Sequence, residues 1–434
     1  MTVTSTSGIR GVFNLDLMPE DMAEYSRRFV RLLGASELLL GRDTRATGPI
    51  ASRVVTSAVL GTGADLVDYG VISTPAIFRE SRRKEKPAII VTASHNEPEW
   101  NGLKFVINGR GINQTEFDEI LRKDAKRDEM ASPGNLTRSE GFSYNRELVQ
   151  MAGEGSAQGV RVVVDLNGGA AVGHVPEILR GLGCHVSTIG DTPGIFIRTI
   201  DPTNDPLDML CKTVKKEEAD VGFAFDCDGD RLALVDSDGK ARTGDYMLTL
   251  AMKEALQGMS RKDVVVSVDT TQAIDEVVKE AGGQVFRSKV GEGNVVGLMA
   301  QKGVRLGGEG SSGGVIDASF NNCRDSMVAA ALIVCVLKRK GRKVYGQVRS
   351  FHIAREKIEM PRKKGMDAVK RLQKESPAAD ALDGLKIKTS SSSWVLIRVS
   401  NTEDGVRVSA EAPSMKEAER LAHSYVLKVK RAGA

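Results

Sequence analysis

The chain has 434 residues, 41% hydrophobic and 27% charged, with 61 basic against 57 acidic side chains. At about 150 residues per domain this length predicts roughly three globular domains, and the composition excludes a disordered or fibrous chain. Near-balanced charge and only 5% aromatic residues leave little for nucleic acid, so the basic runs Lys338–Lys343 and Arg362–Lys364 read as solvated faces.

The longest apolar run, Met327–Leu337, covers 11 residues, short of the ~18 that span a bilayer. The segment Met1–Ser7 has neither a basic nor an apolar leader character, so a cytoplasmic protein without a membrane partner is expected. Five cysteines, no two in a Cys-x-x-Cys pair, and five scattered histidines speak for a reducing compartment, against a disulfide framework and against a zinc site.

In chain order, strands are expected at Leu38–Leu40, Ala88–Thr92, Val160–Asp165, Val221–Phe225, Leu232–Val235 and Val264–Val268. Helical spacing falls at Val172–Leu182, Leu207–Glu218, Ile274–Ala281 and Met327–Leu337. Strands of nearly continuous Val, Ile and Leu that alternate with helices predict α/β layers around largely parallel sheets. Three segments, Gly63–Gly70, Gly183–Gly190 and Gly283–Gly291, share one pattern: a glycine break after a helical stretch, a short strand, another glycine. Their separation of about a hundred residues predicts three similar α/β units. The last stretch differs. A strand at Ile353–Met360, a helix at Met366–Gln373, strands at Trp394–Val399 and Gly405–Ala410 and a long helix from Ser414 predict a small α+β domain. Breaks at Ala131–Glu140, near Ser237–Gly239 and at Lys343 divide the chain into 1–133, 134–240, 241–344 and 345–434.

Four loops carry residues with chemistry. Thr92-Ala93-Ser94-His95-Asn96 puts Ser94 at a strand C-terminus, where α/β folds place their ligands. His95 beside it faces the other way on an extended chain, and no Gly-x-Ser-x-Gly elbow frames the serine. Asp226-Cys227-Asp228-Gly229-Asp230-Arg231 lies between two apolar strands. Its three carboxylates repel one another unless a cation sits among them, and oxygen-only ligands suit Mg²⁺. Arg231 stands where an EF-hand needs glycine, which excludes that motif; an acidic hairpin turn, with Gly229 at positive φ, is the other reading. Gly307–Gly314 contains a Gly-x-Gly-x-x-Gly, yet a strand follows it rather than a helix, so polyol recognition by Glu309, Ser311 and Ser312 fits better than dinucleotide binding. In Arg398–Arg407, two arginines flank Ser400-Asn401-Thr402. This is a donor set for a phosphate dianion or a plain hairpin loop.

Together and in this order, from Thr6-Ser7-Gly8-Ile9-Arg10-Gly11 to Arg407, these motifs resemble those of the α-D-phosphohexomutase family: phosphoglucomutases, phosphomannomutases and phosphoglucosamine mutases. The resemblance implies three similar mixed α/β domains plus a smaller C-terminal α+β domain around a central cleft. It implies that Ser94 is a phosphoserine and that Ser94, Asp226, Asp228 and Asp230 share one Mg²⁺. A phosphoserine carries about −1.5 to −2 charge, so three aspartates beside it require a cation. By the same resemblance Arg10, Lys104, Arg231 and Lys289 surround the reacting phosphoryl group, with Lys104 or Arg10 as proton carrier. Glu309 and Ser311 would meet the sugar hydroxyls, and Arg398, Ser400, Asn401, Thr402 and Arg407 the non-reacting phosphate.

The implied reaction interconverts the 1- and 6-phosphates of glucosamine, mannose or glucose. It runs through a phosphoserine enzyme and a hexose 1,6-bisphosphate, which is also the activator, in a monomer or homodimer. The sequence departs from many members in lacking a histidine at the end of the sugar loop. It also has Val399 and Asn401 for Pro and Gly, and Ser326 for Gly after Arg324-Asp325. Its Gly-Glu-Gly-Ser-Ser-Gly-Gly form is similar to archaeal-type members. Two further readings are a haloacid-dehalogenase-type Mg²⁺-dependent phosphatase with Asp226 as nucleophile, and a non-catalytic sugar-phosphate sensor.

Overall fold

Three times along the chain a strand leads through a helix into a parallel neighbour of the first strand. The triplets are Glu37–Arg42, Gly48–Leu60 and Asp65–Val71; Arg161–Asp165, Val175–Gly181 and His185–Ile189; and Val264–Ser267, Ala273–Glu280 and Val285–Ser288. Gly63, Gly183 and Gly282 turn the chain out of each helix at φ of +85°, +87° and +87°, a region open to glycine. The glycine pattern therefore marks three equivalent units. The structure, a computed structural model, describes residues 2–122, 132–400 and 404–433.

The sheets of these units have eight, five and four strands, and they are mixed rather than largely parallel. Ala88–Val91 lies parallel to Glu37–Arg42, but Trp100–Ile107 returns antiparallel to it. Val221–Phe225 with Leu232–Asp236, and Leu306–Glu309 with Gly314–Asp317, behave likewise. The connections explain the correction: a parallel crossover needs about a dozen residues or more, and these loops are too short to make one. In consequence the serine, acidic and glycine-rich loops occupy corresponding places, each turning back from the C-terminal end of a parallel strand.

Two strands cross the expected domain boundaries. Leu136–Arg138 pairs with Asp65–Val71 in the first sheet, and Ala241–Arg242 pairs with Leu232–Asp236 in the second, because backbone pairing at a sheet edge is insensitive to the local polarity that set those boundaries. The apolar run at 327–337 forms the helix Ser326–Lys340, buried on nearly every side, as befits a helix enclosed by protein. Among the described residues no helix is long and apolar enough to cross a membrane. The basic run that follows is more than a solvated face. Lys338 Nζ donates to Gln158 O (2.8 Å), Arg339 pairs with Glu254, and Arg342 Nε donates to Asp220 Oδ1 (2.8 Å).

The fourth unit is an antiparallel sheet in the order His352–Ile358, Val406–Ala412, Ser393–Val399, Leu385–Ser390. Helices Arg362–Glu375 and Met415–Gly433 cover it, the latter burying Ala418, Ala422, Val426 and Val429 at helical spacing. The edge strand Leu385–Ser390 escapes sequence patterning because its last three residues, Lys388, Thr389 and Ser390, are exposed. One apolar cluster runs through the first three units, joining Ile77, Phe223 and Met327, while the fourth has its own around Leu385, Val408 and Val426.

Candidate active site

Ser94 lies in the turn between Ala88–Val91 and Trp100–Ile107 with φ of +52°, a conformation that costs a non-glycine residue about 1–2 kcal/mol. The buried guanidinium of Arg45 holds that turn. Its Nη2 donates to the carbonyls of Ser94 (2.7 Å) and Asn96 (2.6 Å), and its Nη1 to those of Glu97 and Trp100 (3.1 Å). Asp43 fixes the arginine in turn: its Oδ2 accepts from Arg45 Nε (3.0 Å) and Thr92 Oγ1 (2.6 Å). Sequence reasoning missed Arg45, since a side chain that reads backbone carbonyls leaves no partner pattern among residue types.

In the acidic loop Gly229 takes φ of +71°, and Asp226, Asp228 and Asp230 are all buried, with one oxygen of each within 4.8 Å of the others. Asp226 Oδ1 accepts the backbone N–H groups of Asp230 (3.0 Å) and Arg231 (3.1 Å), while its Oδ2 accepts from Ser94 Oγ at 3.2 Å. The serine loop of the first unit and the acidic loop of the second thus meet. Lys104 Nζ donates to Asp228 Oδ2 (2.6 Å) and Asp230 Oδ2 (2.9 Å), Thr74 Oγ1 to Asp228 Oδ2 (2.6 Å), and Arg324 Nη2 to Asp230 Oδ2 (3.0 Å). Asp228 Oδ1 and Asp230 Oδ1 remain, both buried without a hydrogen-bond partner among the described residues. Buried carboxylate oxygens left unmatched are costly. With Ser94 Oγ on Asp226 Oδ2, the three carboxylates offer the all-oxygen donor set that a hard divalent cation takes.

Burial lifts the Asp226 carboxyl well above its ordinary range, and the charges of Asp228 and Asp230 add to the rise. Asp230 is held well below that range because Arg324, Lys104 and Arg231 together outweigh its burial. For Lys104, burial pulls the pKa down, but Asp228 and Asp230 prevail and leave it raised. Arg10 is lowered by burial. Its Nη1 donates to Asn96 Oδ1 (3.4 Å) and its Nη2 to Ser7 O (3.2 Å), while its Nε is buried without a hydrogen-bond partner among the described residues. Arg231 Nη1 donates to Asp201 Oδ2 (2.8 Å), and His95 Nε2 lies 3.4 Å from Arg231 Nη2. Burial, with the charges of Arg231 and Arg10, drives His95 down to about 2, so this imidazole is neutral and packed on the arginine rather than charged.

Glu309 closes the strand Leu306–Glu309. Its Oε1 accepts the Gly291 N–H (2.7 Å), and its Oε2 stands 3.4 Å from Arg324 Nη1. Arg324, which also pairs with Glu292 (3.2 Å), therefore ties the acidic loop to the sugar loop. The sequence marked Arg324-Asp325 as a motif without giving either residue a task. Asp325 caps the helix Ser326–Lys340 by accepting from the N–H groups of Met327 and Val328. Ser326, the departure from glycine, donates from Oγ to Gly229 O (2.5 Å) and so braces the acidic loop.

Ser311 is half-buried in the turn Gly310–Ser312. Arg398, Ser400 and Arg407 line a cleft of about 920 Å³ that Ser7, Gly291 and Glu292 also line. Arg398 and Arg407 stand opposite each other on paired strands, and Arg398 pairs with Asp383 (2.9 Å). Asn401 and Thr402 lie outside the described residues. Lys289 is exposed and makes no ion pair with the acidic cluster.

Residues 1–131, 143–239, 243–352 and 356–428 match, in order, the phosphoglucomutase/phosphomannomutase α/β/α domains I, II and III and the C-terminal domain. The chain belongs to the α-D-phosphohexomutase family. It is an isomerase of that type, an intramolecular phosphotransferase, and this membership replaces the phosphatase and sensor readings. The probable phosphoglucosamine mutase of Methanopyrus kandleri is 32% identical, over 98% of this chain and 97% of the relative. That of Thermococcus kodakarensis is 32% identical, over 96% and 95%. Among solved structures, a phosphoglucomutase/phosphomannomutase family protein from Burkholderia thailandensis shares the fold with a TM-score of 0.87 at 24% identity, covering 98% of this chain and 96% of that one. A putative phosphomannomutase from Thermus thermophilus does so with 0.83 at 22%, covering 99% and 100%.

Proposed function

We propose that this phosphohexomutase interconverts glucosamine 1-phosphate and glucosamine 6-phosphate through a phosphorylated Ser94 and a 1,6-bisphosphate. The observation that carries the reading is the approach of Ser94 Oγ to Asp226 Oδ2 at 3.2 Å, beside two buried carboxylate oxygens without partners. Asp226, Asp228 and Asp230, with the phosphorylated Ser94, would hold Mg²⁺, which would supply the charge neutralisation on which phosphoryl transfer depends.

The chain's own residues do the positioning. Arg45 clamps the serine loop, so the oxygen that carries the phosphoryl group stays aimed at the acids. In the first step the bond from phosphorus to Ser94 Oγ breaks as one to the free sugar hydroxyl forms, and the hydroxyl proton leaves. In the second step the other phosphate of the bisphosphate returns to Ser94. Arg10, Lys104 and Arg231 place positive charge around the transferring group, and Lys104 or Arg10 carries the proton. Glu309 and Ser311 take the sugar hydroxyls. Arg398 and Arg407, with Ser400, Asn401 and Thr402, grip the phosphate that does not react, a task for forked cationic donors. The names of the relatives favour glucosamine, and five free cysteines favour a reducing, cytoplasmic setting.

Steady-state turnover of the 1-phosphates of glucosamine, mannose and glucose tests this. The highest kcat/KM is expected for glucosamine. A higher value for mannose or glucose overturns the sugar assignment, and no turnover of any of the three overturns the mutase itself.

A further inference from the structure

The first sheet has a second crevice, displaced from the Ser94 loop toward the opposite edge. Its floor is the C-terminal ends of three parallel strands, Glu37–Arg42, Asp65–Val71 and Leu136–Arg138, the place where open parallel sheets take ligands. One wall is the helix Gly48–Leu60, which turns Pro49, Ser52, Arg53 and Thr56 toward it at helical spacing. The cavity measures about 510 Å³ and shares no lining residue with the substrate cleft.

Arg42, Arg53 and Arg138 line this cavity, and none of them has an ion pair among the described residues. Three arginines of the active site contrast with them, since Arg45, Arg231 and Arg324 are each matched to a carboxylate. Arg42 Nη1 donates to Asp43 O (3.0 Å), which neutralises nothing. The one acid on the wall, Asp68, already accepts the Gly70 N–H at 2.8 Å. A second observation is independent of charge. Ser52 also lines the cavity, is only 8% exposed, and its Oγ is buried without a hydrogen-bond partner, although a helical serine ordinarily satisfies itself on the preceding turn. Three arginines around one cavity, Arg53 and Arg138 exposed and Arg42 half-buried, together with a spare buried hydroxyl, are complementary to a tetrahedral dianion.

We propose that this crevice is a binding site for a phosphate group. The dianion sits among Arg42, Arg53 and Arg138 and accepts from Ser52, and Tyr69 and Leu136 supply apolar walls for an organic moiety attached to it. The site abuts the framework that orients Ser94, because Arg42 donates to Asp43, whose carboxylate anchors Arg45.

The test is made on wild-type protein and on the double variant Arg53→Gln/Arg138→Gln. Crystals soaked in selenate should show an anomalous peak among the three arginines in the wild type. The double variant should lose that peak and keep any at Arg398 and Arg407, which also shows that the variant is folded. In solution, titration with inorganic phosphate should reveal a class of site that the variant weakens at least tenfold. Phenyl phosphate binding that class more tightly than inorganic phosphate identifies a phosphomonoester as the occupant, and equal affinity identifies the free ion. An empty crevice in soaked crystals, a peak with no matching site in solution (an adventitious ion only), or binding unchanged in the double variant overturns the proposal.

Discussion

Where the proposed reaction takes place, Ser94, Asp226, Asp228, Asp230 and Lys104 are buried and tied to one another by contacts of 2.6 to 3.2 Å. By contrast, Arg398, Ser400 and Arg407, the proposed phosphate grip, line an open space of about 920 Å³ on a unit with its own apolar core. Among the contacts that join that unit to the third one, Val290 N donates to Asp383 Oδ2 (3.0 Å). Val268 packs on Trp394 and Leu396, Gln272 N donates to Glu411 Oε1 (3.1 Å), and Lys386 Nζ donates to Val268 O (2.6 Å). The contrast follows from the chemistry. In the proposed reaction, charge developing on a transferring phosphoryl group is stabilised only by groups already in place, whereas a grip on the second phosphate would serve two orientations of the sugar and would gain from a unit able to shift.

The comparison breaks first at Ser94. Ser94→Ala should lower kcat by about 10⁴-fold or more while leaving hexose phosphate binding within a few-fold, because it removes the group being transferred and nothing from the grip. Substantial residual turnover would mean that the reacting end lies elsewhere. Asp228→Asn should cost about 10²–10³-fold in kcat, and chelation with EDTA should abolish turnover until Mg²⁺ is restored. Activity indifferent to chelator would remove the cation from the account. At the gripping end Arg398→Ala removes a charge-assisted bond of about 1.5–3 kcal/mol, so kcat/KM should fall about 10- to 150-fold, chiefly through KM. A fall in kcat alone would place Arg398 with the reacting groups.

The smallest effect concerns the joint between the third and fourth units. Asp245 is buried, its Oδ1 accepts the Thr271 N–H (2.8 Å), and Arg355 of the fourth unit stands 3.7 Å from its Oδ2. Burial raises its pKa to about 6, with Asp269 and Glu411 adding and Arg355 and Thr271 opposing. Since the folded value exceeds the unfolded 3.8, the folded state binds the proton more tightly. The charged form therefore costs stability above pH 6, a cost relieved as pH falls from 6 toward 4. Asp245→Asn keeps an acceptor for Thr271 and does not titrate. It should exceed the wild type in denaturant stability at pH 7.5 by at most about 3 kcal/mol, with the gap closing near pH 4.5. A gap independent of pH would show that Asp245 is not the titrating group.

Much of this architecture is legible in the sequence, for physical reasons that differ from element to element. Buried strands such as Val221–Phe225 are continuous apolar runs because both faces are covered, and the glycine breaks after the three helices reveal the repeated unit. The acidic loop is legible because like charges two residues apart demand a counter-charge. The strand Leu385–Ser390 is not, since an exposed edge carries polar side chains. Nor is the mixed character of the sheets, which loop length decides and apolarity does not. Arg45 and Arg324 escaped for a common reason: their partners are distant in sequence, four backbone carbonyls in one case and three separate carboxylates in the other. Lys289 is exposed, and its expected place beside the phosphoryl group belongs to the proposed reaction.

The central claim, that Ser94 carries the phosphoryl group among the three aspartates, is tested most directly by mapping phosphate in the purified protein after incubation with a hexose 1,6-bisphosphate. An acid-stable phosphate on the peptide containing Ser94, absent from the Ser94→Ala protein, is the result expected. A hydroxylamine-labile phosphate on Asp226 with Ser94 bare would contradict it.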